Sequence, residues 1–159
     1  MLDKFWAVSD IFSMKIAIGS DHRGYSLKER MKEHLYGREH ECVDVGTSSE
    51  ERADYPDFAA QVAELVGMNR CSRGILICGS GIGMSVAANK HKHVRAALCT
   101  TSRMAELSRR HNDANILCLG AENQTVAEAL QMVDTWLKAK FEGGRHSVRL
   151  EKIRRMEEL

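Results

Sequence analysis

The chain has 159 residues, 43% hydrophobic and 28% charged, with a formal net charge of +1. That length suits a hydrophobic core of ordinary size, and the near-neutral balance removes any global electrostatic reason to bind nucleic acid or an acidic membrane surface. No apolar run approaches the ~20 residues that a membrane-spanning helix needs.

The first thirteen residues, "MLDKFWAVSDIFS", have a short apolar part broken by Ser9 and Asp10, with no small-residue cleavage site after it. They do not read as a signal peptide. Residues 1–13 are expected to be an extension outside the core, with a partner-binding segment as the alternative. Residues 14–159 are expected to form one domain.

From Met14 onward two periodicities alternate. "MKIAIG" (14–19) is a short β-branched run that ends in glycine. "YSLKERMKEHLYG" (25–37) places Leu27, Met31, His34 and Leu35 near one helical face and stops at Gly37. "ECVDVG" (41–46) reads as a strand. "PDFAAQVAELVGMN" (56–69) begins with the chain's single proline at a helix start and carries a Phe58, Val62, Leu65, Val66 stripe. "GILICG" (74–79) is a near-continuous apolar strand, and "GMSVAANKHK" (83–92) a short helix. "VRAALCT" (94–100) is a strand, "SRMAELSRRHN" (102–112) a helix and "NILCLG" (115–120) the last strand. One long amphipathic helix is expected over 125–144, and a further helix over 145–159.

Five strands that alternate with helices and are apolar on both faces predict an α/β fold: a parallel sheet covered on both sides. In such sheets ligands bind beyond the carboxyl ends of the strands. That rule selects "SDHRG", "GTSSEERADYP" and "CGSGIG".

The cysteines are Cys42, Cys71, Cys78, Cys99 and Cys118, and no two form a C-x-x-C pair. An odd count with no export signal reads as reduced thiols in a cytoplasmic protein. No Cys/His cluster has zinc-ligand spacing, so no metal is expected. Cys42, Cys99 and Cys118 read as small strand hydrophobes and Cys71 as a surface-turn residue. Cys78 differs, because it ends its strand just before Gly79, Gly81 and Gly83.

Three chemistries compete for "CGSGIG". A nucleotide loop would need a following Lys-Ser/Thr or a G-x-x-G register, and neither is present. A cysteine phosphatase loop would need an arginine six residues after the nucleophile, where this chain has Met84. The remaining reading makes Cys78 a base, with its thiolate favoured at a helix N-terminus and the glycine amides acting as an oxyanion hole.

Other polar residues gather near these loops. Asp21 and His22 follow the first strand, where an aspartate serves equally as a helix cap or a ligand contact. His111 and Asn112 end a helix, a common place for a dipole partner. Arg145 and Arg149 stand at i and i+4 on one face, which suits a phosphate or a solvated basic surface. Tyr55 is expected in a loop as a half-buried aromatic.

Taken together, "IAIGSDHRGYSLK", "GTSSEERADYPDFA", "GILICGSGIGMSVAANK", "RAALC", "SRRHNDANILCLG" and "FEGGRH" resemble, in order and spacing, the type B ribose-5-phosphate isomerases and related sugar-phosphate isomerases. The resemblance runs from Met14 to about Arg149. It implies a Rossmann-like three-layer α/β/α fold with a five-stranded parallel sheet and a homodimer, often paired into tetramers. It further implies interconversion of ribose 5-phosphate and ribulose 5-phosphate, with no metal or organic cofactor.

Carried over by position, the resemblance makes Cys78 the base that moves a proton between C2 and C1. Ser80 and the amides from Gly79 through Gly81, Ile82 and Gly83 would hold the enediolate oxygens. His111 would protonate the ring oxygen to open the furanose, Asp21 would bind sugar hydroxyls and assist, and Asn112 would contact the enediolate. His22, Arg145 and Arg149 would hold the phosphate, and Tyr55 would line the pocket. His111 and Asn112 would reach the site from the partner subunit. Position 80, often threonine in the family, is serine here and keeps the hydroxyl. Some members use a glutamate base further along the loop, but residues 79–88 contain no acid. A six-carbon sugar phosphate substrate and a non-catalytic sugar-phosphate-binding module are the alternatives.

Overall fold

The structure, a computed structural model, describes residues 13–159. Residues 1–12 of the expected extension therefore lie outside the described residues.

The elements run β1 (Lys15–Ser20), α1 (Tyr25–Tyr36), β2 (Glu41–Asp44), α2 (Tyr55–Gly67), β3 (Arg73–Cys78) and α3 (Ile82–Ala88). They continue with β4 (Ala96–Leu98), α4 (Ser102–Asn112), β5 (Ile116–Gly120), α5 (Val126–Lys138) and α6 (Arg145–Met156). Local chemistry sets several boundaries. Thr101 caps α4 by accepting from the Met104 amide at 3.1 Å. Thr125 and Glu128 form a reciprocal capping box at the start of α5. Pro56 sits in the first turn of α2, where its missing N–H costs nothing.

The five strands form one all-parallel sheet in the order β2-β1-β3-β5-β4. Helices α1, α4 and α5 cover one face through Leu27, Met31, Leu35, Ala105, Met132, Val133 and Trp136. Helices α2 and α3 cover the other through Val62, Ala63, Val66, Met84 and Ala88. The central strands β1, β3 and β5 thus bury both faces, which is why their sequences are apolar at nearly every position. Each large side chain so buried contributes about 1.5–3 kcal/mol. The expected three-layer α/β/α fold is the one observed.

Several expectations change in detail. The fourth strand, expected over 94–100, narrows to Ala96–Leu98 at the sheet edge. There the Asn89 side chain takes the place of a sixth strand, accepting from Ala96 N and donating to Ala96 O, both at 2.9 Å. The helix expected over 125–144 stops at Lys138, because Ala139 turns extended. Gly143 and Gly144, both at positive φ, then redirect the chain into α6. Cys71 is not a surface residue: it is 1% exposed. The turn after α2 folds back, with Arg70 N and Cys71 N both donating to Leu65 O, and tucks the thiol under the helix. Tyr55 is not in a loop but opens α2.

Candidate active site

Cys78 is the last residue of β3, and Asp21 follows β1 directly, so both stand at the carboxyl end of the sheet. These strands are neighbours, and the Asp21 amide donates to Ile77 O at 3.3 Å. The chain leaves β1 toward one edge and β3 toward the other, which opens a crevice between them.

Asp21 is 5% exposed. Its Oδ1 accepts from the amides of Arg23 at 3.0 Å and Gly24 at 3.1 Å, an Asx turn that starts α1. Asp21 is not the helix cap, because Gly24 holds the N-cap position of α1 without a side-chain bond, but the turn commits one carboxylate oxygen. Oδ2 has no hydrogen-bond partner among the described residues.

The Cys78 thiol is nearly buried, and its Sγ accepts a hydrogen bond from the Gly81 amide at 3.2 Å. Gly81 has φ +79, and a Cβ there would lie 2.6 Å from Leu98 Cδ1 and 2.9 Å from the Leu119 carbonyl carbon. Only glycine lets the loop return its amide to the sulfur this closely. The continuation of β5 braces the loop from behind. Ala121 N donates to Cys78 O at 2.8 Å, Glu122 N to Gly79 O at 3.1 Å and Asn123 Nδ2 to Ser80 O at 3.0 Å. The Ser80 hydroxyl is exposed and accepts from Ile82 N at 3.3 Å. Burial pushes the Cys99 and Cys42 thiols up to about 11 and raises Cys71 and Cys118 as well.

Three more side chains frame this end. The Tyr55 ring rests on Gly83, where an added Cβ would lie 2.5 Å from Tyr55 Cζ. His22 Nδ1 lies 3.2 Å from both the amide and the carbonyl oxygen of Ala53, which ties the loop after β2 to the loop after β1. Arg23, within the "SDHRG" loop but given no role from sequence, lays its guanidinium over Gly79 and pairs with Glu122.

The remaining candidates lie elsewhere. Helix α4 starts beyond the carboxyl end of β4 and runs back about 16 Å over its eleven residues. It ends at Asp113, in the left-handed region, beside the first residues of β4. There Arg95 Nε donates to Asn112 O at 3.0 Å. His111 and Asn112 therefore stand at the amino end of the sheet, opposite Cys78. Arg145 and Arg149, both exposed, open α6 at that same end. His111 stacks on His146, and Glu142 joins them through its ion pair with Arg110. Among the described residues no contact brings these four candidates to Cys78. Glu142, His146 and Arg110 were not anticipated. "FEGGRH" had marked the segment, but the pairing across 35 positions (146 − 111) is invisible to local spacing.

The family model described as Ribose/Galactose Isomerase matches residues 16–153. The chain is 47% identical over 144 residues to ribose-5-phosphate isomerase B of Escherichia coli, covering 91% of this chain and 97% of that protein. It superposes on a Clostridium thermocellum ribose-5-phosphate isomerase B with TM-score 0.90 and 54% identity, over 91% of this chain and 98% of that one. A Mycoplasma genitalium ribose-5-phosphate isomerase B, solved with bound ribulose-5-phosphate, superposes with TM-score 0.89 and 46% identity, over 92% and 98% of the two chains. Likeness of this extent in both sequence and fold shows that the chain belongs to the ribose/galactose isomerase family.

Proposed function

We propose that the chain interconverts ribose 5-phosphate and ribulose 5-phosphate, with Cys78 as the base. The observation that carries this reading is the Gly81 amide bonded to Cys78 Sγ in a glycine loop at the carboxyl end of β3, beside the β1–β3 crevice. The thiolate removes the C2 proton of the open aldose. The electron pair moves into the C1–C2 bond and onto the carbonyl oxygen, which the amides of the Gly79–Gly83 loop and the Ser80 hydroxyl stabilise. The 2-hydroxyl proton passes to the C1 oxygen, the electron pair left on O2 forms the C2 carbonyl, and the same sulfur returns the proton to C1 to complete the ketose. The names of the relatives and the ribulose-5-phosphate in the Mycoplasma genitalium structure support this substrate. The steps as written use no metal or organic cofactor.

In this reading His111 opens the furanose by protonating its ring oxygen, while Asp21 and Asn112 contact sugar hydroxyls and the enediolate. Cys78 and His111 stand at opposite ends of one sheet, so the working site takes the second from a partner subunit in a homodimer. Arg145 and Arg149 lie with His111 and come from the partner with it, to meet the phosphate beside His22. Tyr55 closes the pocket wall. Residues 14–159 act as one domain, and five free thiols suit a cytoplasmic enzyme.

The test is ribulose 5-phosphate formation by wild type and Cys78→Ala, with allose 6-phosphate assayed in parallel. Wild-type turnover of the five-carbon sugar is expected to fall by at least about 10³-fold in the variant while ribulose 5-phosphate still binds. Turnover retained in Cys78→Ala removes the cysteine as base. Preference for the six-carbon sugar reassigns the substrate.

A further inference from the structure

Two histidines meet at the amino end of the sheet. His111 lies at the end of α4 and His146 in the first turn of α6, and their rings stack with centroids 4.3 Å apart and planes inclined by 13°. His146 is 6% exposed, and its Nε2 has no hydrogen-bond partner among the described residues. Glu142 serves both rings: its Oε2 lies 3.5 Å from His146 Nε2 and 3.9 Å from His111 Nε2. The other oxygen, Oε1, accepts from Arg110 Nε at 2.6 Å, and the Glu142 amide donates to Arg110 O at 3.0 Å. The carboxylate is thus anchored by side chain and backbone alike.

Three such donor atoms, all within 4.8 Å of one another, also fit the spacing of a metal site. The ring geometry favours a proton instead. An imidazole binds a metal along a lone pair that lies in its ring plane. Two nearly parallel planes at stacking distance direct their lone pairs side by side, so they do not converge on one ion. Stacking also restricts charge, because two imidazolium rings would repel across a single carboxylate. Burial first, then the neighbouring His111 and Arg145, lower the affinity of His146 for a proton; Glu142 opposes them and Arg149 adds to them. His111 is the more open ring of the pair, with its Nε2 facing Glu142.

We propose that His146 is a positioning residue for His111: its buried ring is the platform that sets the orientation of the His111 ring, and Glu142, held by Arg110, closes the other side. This rests on His111 being the acid that opens the sugar ring, and the test separates the two claims. Ribose 5-phosphate can close only through its C4 hydroxyl, because C5 carries the phosphate. Its 4-deoxy analogue therefore stays open, needs no ring-opening acid and keeps the distance from phosphate to C2.

Turnover of both sugars is measured for wild type, His146→Ala, His146→Phe and His111→Ala. His146→Ala is expected to lose about tenfold in kcat on ribose 5-phosphate, with KM near wild type and the analogue turned over within about twofold of wild type. His146→Phe, which keeps a flat buried ring, is expected to recover most of the loss. Equal loss on both sugars, or no loss on either, overturns the positioning role. A phenylalanine variant as impaired as the alanine one also overturns it. Selective loss in His111→Ala with none in His146→Ala leaves His111 as the acid and removes only its platform. No selective loss in His111→Ala removes the acid itself. Should wild type leave the analogue unconverted, exchange of the C1 proton of open-chain ribulose 5-phosphate with D₂O supplies the same comparison.

Discussion

At the scale of the residue, Gly81 combines a positive φ with close backbone contact in the candidate site. Its φ of +79 disfavours any side chain, and a Cβ would lie 2.9 Å from the Leu119 carbonyl carbon and 3.0 Å from Gly120 N, backbone that cannot step aside. A Gly81→Ala change forces a left-handed alanine, at about 1–2 kcal/mol, in addition to the steric conflict. It also moves the amide that bonds Cys78 Sγ. The expected outcome is a lower melting temperature together with a loss in kcat larger than the loss in stability explains. Differential scanning calorimetry beside steady-state kinetics checks both. A variant with wild-type kcat would show that the loop amide does not serve the thiol.

At the scale of the element, the loop after β2 is held at both ends. His22 meets Ala53 at its far end. At its near end Lys28, whose side chain is 1% exposed, reaches from α1 to Asp44 Oδ2 at 2.5 Å. Lys32 shares that carboxylate at 2.8 Å, and Asp44 Oδ1 accepts from Gly46 N at 2.9 Å. Burial alone would raise the Asp44 pKa, but the hydrogen bonds from Lys28 and Lys32 outweigh it, so the folded value lies below that of an ordinary aspartate. A carboxylate depressed on folding contributes its stability above its unfolded pKa and loses it as pH falls through the folded one. Lys28→Met removes the main bond and is expected to cost about 1–3 kcal/mol at neutral pH, since Lys32 remains. The melting-temperature gap between wild type and variant should hold at neutral pH and narrow as pH falls below about 4 toward the lowered folded value of Asp44. A gap that stays constant over that range would mean the loss comes from packing alone.

At the scale of the whole molecule, the decisive fact is that Cys78 and His111 occupy opposite ends of one sheet. The amino end also exposes apolar side chains on α6: Val148 at 60%, Ile153 at 43% and Met156 at 67%. These suit burial against a partner subunit. If each site combines Cys78 of one protomer with His111 of the other, two inactive variants should complement. Mixed and refolded in equal amounts, Cys78→Ala and His111→Ala form half mixed dimers, each with one intact site. Recovery of roughly a quarter of wild-type activity is expected under C₂ symmetry. No recovery, with mixed dimers verified by mass spectrometry, would place the whole site within one chain.

The sequence alone determined the alternation of strands and helices, the parallel sheet and the glycine loop after Cys78, because each is written in contacts between near neighbours. A 2-residue or 3.6-residue period needs no knowledge of the partner it packs against. It also placed Asp21 and Cys78 together, since both directly follow strands and parallel strands align their carboxyl ends. Only the tertiary structure decided where Cys71 goes, that the amphipathic run after Thr125 stops at Lys138, and that α4 carries His111 away from Cys78. It alone brought Glu142 and His146 to His111. Those outcomes depend on the direction of a helix across the sheet and on meetings between residues far apart in the chain. Such contacts leave no local period to read, because loop closure and packing choose them after the elements have formed.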